Sequence, residues 1–125
     1  MKIVLSSQNP TPYYLQIFEQ VRQAVLRGEI LPGEPLPSIR QMAEELLTSV
    51  ITVKRAYQEL EAAGLVTTRP GLGTFVASLN DESRKSLAFR TAGELLEKAV
   101  REARRLGLSA QEVGGLVETL LKEEE

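Results

Sequence analysis

One short stretch of this sequence carries the residue types that bind anions and the edges of nucleic-acid bases. Ser49 and Thr52 supply hydroxyls, and Lys54 and Arg55 supply cations on the same predicted helix. Hydroxyls and backbone N–H groups in the first turn of a helix bind phosphate, and lysine or arginine can also reach guanine O6 and N7. The alternative for Arg55 is an ion pair with Glu59 on a solvated helix face.

Two branched apolar residues, Val50 and Ile51, lie inside this polar stretch. Exposed on the first turn of a helix, they would gain nothing from packing. An aliphatic side chain that enters the DNA major groove can contact the C5-methyl group of thymine, which gives these residues a use. The alternative is that one of them packs against the preceding helix.

A second cation, Arg40, lies near the start of another predicted helix. Ser38 and Gln41 have the spacing of a capping box, which predicts that the helix begins here. A cation near a helix N-terminus is unfavourable for the helix dipole, so Arg40 indicates an external anion. We group Ser38 and Arg40 as candidate DNA contacts, with an Arg40–Glu44 salt bridge as the alternative.

A predicted hairpin supplies the remaining candidates. Two β-rich runs are joined by the sequence Arg-Pro-Gly-Leu-Gly. Gly71 and Gly73 permit positive φ and a close approach of backbone to a ligand, Leu72 stands between them, and Arg69 adds a cation. Such a tip suits the minor groove or the neighbouring backbone of DNA, although an ordinary hairpin turn also needs glycine.

The elements that position these residues are predicted from apolar spacing and turn residues. Thr11 as N-cap and Pro12 as first helical residue begin helix one. Residues 29–37 contain three prolines and a glycine, which excludes helix and leaves Ile30 and Leu31 as a short edge strand.

The next two helices have clear boundaries and apolar faces. The second begins after Ser38, and the third has Ser49 as N-cap and ends at Gly64. The buried stripe of the third is predicted to be Val53, Ala56, Tyr57 and Leu60. Helix, turn, helix and hairpin in this order predict a winged helix-turn-helix over residues 1–78, in which the second helix of the motif enters the major groove.

Residues 79–125 predict two further helices, about 82–106 and 110–123, and Ser109 with Glu112 forms another capping box. Two helices of this size are too small to close a core, so their apolar stripes need a partner. We predict that this helical tail forms a dimer. The predicted interface residues are Leu95, Leu96, Ala99, Val100, Ala103, Leu106, Val113, Leu116, Val117, Leu120 and Leu121. The fold class is therefore mainly α with a small β-hairpin, followed by a two-helix dimerisation segment.

Composition excludes several other functions. The 125 residues contain no Cys and no His, which removes thiolate metal sites and Ser-His or Cys-His catalysis. We predict no enzymatic activity, no catalytic residue, no metal and no cofactor. No apolar run approaches the roughly 20 residues that span a bilayer, so we expect a cytoplasmic protein without a membrane partner.

The charge of the chain keeps a second class of function open. The formal net charge is −2, and residues 1–78 carry seven basic and seven acidic side chains. DNA-binding domains are often strongly basic. The alternative to a DNA-binding regulator is therefore a winged-helix module that binds another protein.

Five sequence blocks in order carry a family resemblance: residues 12–17, 28–33, 36–40, 52–60 and 71–76. They resemble the winged helix-turn-helix domain of GntR-family transcription regulators. The short helical tail and the segment Ser-Val-Ile-Thr resemble the YtrA subfamily. The resemblance implies a bacterial repressor that binds a palindromic double-stranded DNA operator as a homodimer, often near genes for ABC transporters.

The resemblance also implies roles for individual residues. It assigns DNA contacts to Arg40, to residues 49–52, to Lys54 and to the glycines Gly71 and Gly73. Many family members have glycine where this chain has Leu47, so we expect strain or a changed angle in that turn. The sequence shows no obvious effector pocket, and a small-molecule effector stays unidentified.

Overall fold

The computed structural model describes Met1–Glu124, and the chain divides into two compact units at Lys85 and Ser86. Helices make up most of it, with one two-stranded antiparallel sheet, which confirms the predicted mainly α fold with a small β-hairpin. The elements are α1 (Tyr13–Leu26), α2 (Ile39–Leu46), α3 (Val50–Ala62), β1 (Val66–Arg69), β2 (Gly73–Val76), α4 (Asp81–Arg105) and α5 (Ala110–Glu124).

The core of the first unit forms where α1 and α2 pack against α3. Ile17 and Val21 from α1 and Val53 and Leu60 from α3 are fully buried, and Leu65 before β1 completes this set. The predicted buried stripe of the third helix is confirmed. Its burial fixes which face of α3 points outward.

Side-chain caps set the starts of α2 and α3. Ser38 Oγ accepts from the N–H of Gln41 at 3.0 Å, and Gln41 Oε1 accepts from the N–H of Ser38 at 3.0 Å. Ser49 Oγ accepts from the N–H of Thr52 at 3.1 Å. The predicted capping box and N-cap are confirmed. Each cap satisfies backbone donors that the helix itself leaves unpaired.

The turn between α2 and α3 is strained, as expected from its missing glycine. Leu47 is the C-cap of α2 and has φ 54° and ψ 42°, the left-handed region. Its N–H donates to the carbonyl of Glu44, and the N–H of Thr48 donates to the carbonyl of Ala43. A residue with a Cβ costs about 1–2 kcal/mol in this conformation.

The predicted start of α1 is wrong by one position. The helix begins at Tyr13, and Pro12 is its N-cap, without a side-chain cap. Pro12 is extended at ψ 147°, and its carbonyl accepts the first helical bonds from Leu15 and Gln16. Thr11 is held instead by Asn9, whose Oδ1 accepts from the N–H of Thr11 at 2.9 Å.

The predicted edge strand at Ile30 and Leu31 is also wrong. Ile30 is buried in the core, whereas Leu31 is exposed. The extended pairing lies further along, where Leu36 donates to the carbonyl of Thr74 at 2.8 Å and Pro35 forms an isolated bridge with Phe75. Because proline has no N–H, the neighbouring residues supply these donors.

The hairpin forms as predicted. β1 and β2 pair antiparallel, with Val66 opposite Val76 and Arg69 opposite Gly73. Gly71 and Gly73 have φ of 75° and 124°, values that only glycine adopts readily. The turn therefore depends on both glycines.

The C-terminal helices lie within one residue of their predicted bounds, and Ser109 and Glu112 form the predicted capping box. The backbone and side-chain hydrogen bonds from Ser109 hold the pKa of Glu112 below its ordinary value. Within residues 1–124, no helix combines the length and apolar character needed to span a membrane.

Candidate nucleic-acid interface

The outward face of α3 begins with aliphatic side chains. Val50 and Ile51 are 48% and 80% exposed. Neither of them is buried against the preceding helix, and Ile51 is the more exposed of the two. Two branched apolar side chains are thus accessible to solvent at the N-terminal end of α3.

The hydroxyls next to them are bonded to each other. Ser49 Oγ and Thr52 Oγ1 lie 2.8 Å apart, and Ser49 Oγ also accepts the N–H of Thr52. Each hydroxyl has one proton, and the mutual bond uses one of the two. One hydroxyl proton stays available for an external oxygen, which suits a single phosphate contact.

Two cations near this end of α3 lack an internal partner. Arg40, at the second position of α2, and Lys54, on α3, are exposed. No ion pair joins either side chain to another residue of the described chain, including Glu44. Cations left without an internal carboxylate can bind external anions.

Arg55 has a different environment. Its guanidinium carbon lies 3.7 Å from the centroid of the Tyr14 ring on α1, and the alternative pair with Glu59 does not form. A guanidinium over an aromatic ring is attracted by the negative face of the ring, which holds Arg55 against Tyr14. Arg55 thus links α3 to α1 while its residue stays exposed.

The hairpin presents an open tip. Nothing lies within 4 Å of the position that a Cβ would take at Gly71 or Gly73, and Leu72 is 73% exposed. The guanidinium carbon of Arg69 lies 4.7 Å from the centroid of the Phe75 ring. Arg69 therefore lies against Phe75 at the base of the tip while remaining exposed.

Two hydrogen bonds fix α3 against its surroundings. The hydroxyl of Tyr57 donates to the carbonyl of Pro37 at 2.6 Å, and Glu61 Oε2 accepts from the N–H of Thr68 at 3.1 Å. The first connects α3 to the segment before α2, and the second connects it to β1. Burial raises the pKa of Tyr57 above its ordinary range, and the charge of Glu45 adds to the rise.

A cavity of about 240 Å³ lies between α3 and the hairpin. Its lining includes Lys54, Gln58 and Glu61 from α3 together with Thr68 and Thr74 from the two strands. Its walls carry ammonium, amide, carboxylate and hydroxyl groups. Ile39 and Tyr57 complete the lining, so the cleft between α3 and the hairpin combines an apolar floor with these polar groups.

Sequence reasoning missed several residues that hold these groups in place. Gln16 is 5% exposed, and its amide bonds to the backbone of Ser6 and Thr11. The sequence carried a signal for the role of Gln16, since its amide stands beside Ile17 in an apolar helical stripe. A buried amide is normally hydrogen-bonded, so Gln16 could have been expected to bind backbone groups. No local signal identified Tyr14 as the partner of Arg55.

Comparison with known proteins agrees with this geometry. The model of the family described as "Bacterial regulatory proteins, gntR family" matches residues 13–76, the segment that contains α1, the helix-turn-helix and the hairpin. The chain belongs to the gntR family. As a gntR-family protein it is a DNA-binding transcription regulator with a winged helix-turn-helix fold, and its curated relatives carry the names of transcriptional regulators.

Two curated relatives come from Bacillus subtilis (strain 168). The HTH-type transcriptional regulator YhcF is 40% identical over 106 residues, which cover 85% of this chain and 87% of YhcF. The HTH-type transcriptional repressor YtrA is 37% identical over 75 residues, or 60% of this chain and 58% of YtrA. The likeness to YhcF therefore extends well beyond the gntR domain.

Solved structures show the same fold. A GntR family transcriptional regulator from Listeria monocytogenes matches with a TM-score of 0.73 and 26% identity, covering 89% of this chain and 96% of that one. The AraR DNA-binding domain in complex with operator ORE1 matches with a TM-score of 0.52 and 30% identity, covering 62% of this chain and 94% of that one.

Proposed function

We propose that this gntR-family regulator is a repressor that binds a palindromic DNA operator as a homodimer and blocks access of RNA polymerase. The observation that carries the proposal is the pair of exposed cations, Arg40 and Lys54, beside the free N-terminal end of α3. A cation without an internal carboxylate gains most from phosphate.

We assign the contacts to DNA in two groups. In the helix-turn-helix, α3 enters the major groove, with polar side chains on phosphates or base edges and aliphatic ones on thymine methyl groups. At the hairpin, the open tip lies beside the neighbouring backbone or minor groove. The proposed contacts are Ser38, Arg40, Ser49, Val50, Ile51, Thr52, Lys54, Arg55, Arg69, Gly71, Leu72 and Gly73.

The proposed dimer uses the helical tail, residues 79–125. Six leucines and Val100 on α4, α5 and the turn between them are 40% or more exposed, which leaves a long apolar surface on a single chain. Contiguous apolar surface of this kind marks an interface. A second copy of the chain would cover it through a twofold axis and place two α3 helices about 34 Å apart, one turn of DNA.

Other assigned interface residues have different exposure. Ala99 is exposed, Ala103 and Val117 are half-buried, and Val113 is buried within its own chain. In the proposed dimer the exposed leucines make the central contact, and Val113 supports α5 from within.

The repressor role is supported by names among the relatives, since the Bacillus subtilis proteins YtrA and NagR are both called transcriptional repressors. By the resemblance to the YtrA subfamily, we assign the controlled genes to an ABC-transporter operon. The protein would act in the cytoplasm, without a cofactor or catalytic activity of its own.

An electrophoretic shift with DNA from upstream of the protein's own gene tests the proposal. We expect specific binding whose log K falls linearly with log salt, with a slope of about −0.9 for each phosphate contacted. Scrambled DNA of the same length is the control. Equal affinity for both fragments at every salt concentration would favour the alternative, a winged-helix module that binds protein.

A further inference from the structure

The N-terminal end of α3 offers few polar groups for reading bases. The hydroxyls of Ser49 and Thr52 bond to each other, which leaves one proton for phosphate. Arg55 is stacked on Tyr14. Apart from Arg40 and Lys54, the large exposed side chains near this end cannot form hydrogen bonds.

These large exposed side chains are aliphatic. Leu47 in the turn is 93% exposed, Val50 is 48% exposed and Ile51 is 80% exposed. We call Leu47, Val50 and Ile51 the apolar tip. The left-handed conformation of Leu47 puts a full leucine side chain at a place where the backbone itself favours glycine.

We propose that the apolar tip recognises the C5-methyl groups of thymines, so that base discrimination at this end of α3 comes from methyl contacts. The inference rests on the proposed function, because it needs the tip in a major groove. Arg40 and Lys54, both free of internal ion pairs, supply the charge complementarity that brings this end of α3 to DNA. The major groove displays the thymine methyl group, and aliphatic side chains contact it.

Deoxyuridine provides the test, since it lacks the methyl group and keeps the hydrogen-bonding edge of thymine. The full-length protein first selects its operator from fragments of upstream DNA. Each thymine of the half-sites is then replaced by deoxyuridine, one pair of symmetry-related positions at a time. We expect Kd to rise about four-fold for each contacted methyl group removed, the factor for one buried CH₂ or CH₃ group.

Variants of the tip identify the side chains that respond. The double variant Val50→Ser with Ile51→Ser should bring the ratio of Kd for deoxyuridine DNA to Kd for thymine DNA close to one. This effect is expected at the thymines that these two side chains contact. Leu47→Gly should also lower this ratio at one position, and glycine relieves the positive φ, so unfolding cannot explain the loss. Leu31→Ser is the matched control, because Leu31 is 65% exposed and lies outside the proposed contacts.

The outcomes separate the inference from the proposed function. Specific, salt-dependent binding with a ratio near one at every thymine would overturn the inference and the methyl contacts, and it would leave the proposal of a DNA-binding repressor intact. An unchanged ratio of the two Kd values in Leu47→Gly would show that Leu47 contacts no thymine methyl group. Absence of specific binding to any upstream fragment would overturn both.

Discussion

Arg55 on α3 lies over the ring of Tyr14 on α1, with its guanidinium carbon 3.7 Å from the ring centroid. These two residues join the helix that carries the proposed recognition face to the helix that supports it. A cation over an aromatic face contributes about 0.5–1 kcal/mol at exposed sites. Arg55 therefore helps to hold α3 against α1, in addition to any contact that it makes with DNA.

Loss of this stacking should reduce stability. We expect Arg55→Ala to lower the free energy of unfolding by about 0.5–1 kcal/mol. A double-mutant cycle with Tyr14→Leu in urea denaturation measures the pair itself. A coupling energy of zero would show that the stacked geometry contributes nothing in solution, and Gln58→Ala, on the exposed face of α3, is the control.

The unpaired cations should act on DNA binding and not on folding. Arg40→Ala and Lys54→Ala are each expected to weaken operator binding and to reduce the magnitude of the salt slope by about one for each phosphate that the side chain binds. The melting temperature should stay unchanged, because neither side chain has an internal ion pair. Filter binding across a salt series gives the slope.

A cation of similar exposure provides the comparison for these variants. Arg27 at the end of α1 pairs with Glu29 at 3.5 Å and lies outside the proposed contacts. Arg27→Ala removes the same charge and should leave the slope as it is. Equal effects of Arg27→Ala and Lys54→Ala would mean that only overall charge matters.

The turn between α2 and α3 should gain stability from glycine. Leu47→Gly replaces a left-handed leucine by the residue that accepts positive φ, so we expect about 1 kcal/mol of added stability. Leu47→Ala removes most of the side chain but keeps the backbone penalty and should bring no gain. Urea denaturation of both variants distinguishes relief of backbone strain from removal of an exposed apolar group.

Tyr57 should make stability sensitive to alkaline pH. Its pKa is raised in the folded state by burial, above an unfolded value of 10.0. The contribution of Tyr57 to the free energy of unfolding is therefore complete below about pH 10. It is lost as the pH rises from there towards the pKa of Tyr57 in the folded state. Tyr57→Phe should lose about 1 kcal/mol at neutral pH, from the missing bond to Pro37, and should show a smaller further loss above pH 10.

The control for that pH series is Tyr13→Phe, because Tyr13 is 38% exposed. This variant should follow the alkaline curve of the unmodified protein. Parallel alkaline curves for Tyr57→Phe and Tyr13→Phe would show that the buried hydroxyl does not titrate with unfolding.

The helical tail should decide the oligomeric state. Leu96 on α4 and Leu120 on α5 are 55% and 59% exposed. If a second copy covers them, Leu96→Glu with Leu120→Glu places unpaired carboxylates in that interface and yields a monomer by light scattering. Gln111→Glu adds a charge at an exposed polar position and should stay dimeric.

A shortened chain tests the same point from the other side. The guanidinium of Arg84 lies against Gly28, so a cut should follow Lys85, where the first unit ends. This fragment should be monomeric and bind operator DNA weakly. A dimeric fragment would contradict the role of the tail.

Local chemistry in the sequence was enough to predict most of the elements. The caps at Ser38, Ser49 and Ser109 act over three residues, and the hairpin depends on two glycines in its own turn. Apolar spacing likewise identified the buried face of α3, because a helix has a fixed period. These features form from interactions within a few residues, which a single sequence displays.

Tertiary structure alone decided what distant residues do to one another. It gave Arg55 the ring of Tyr14 in place of Glu59, and it paired Pro35 with Phe75 while Ile30 entered the core. It also left Arg40 without the Glu44 partner that spacing allowed. Such contacts depend on how helices and strands pack, since burial and the competition between alternative partners are settled only when separate segments meet.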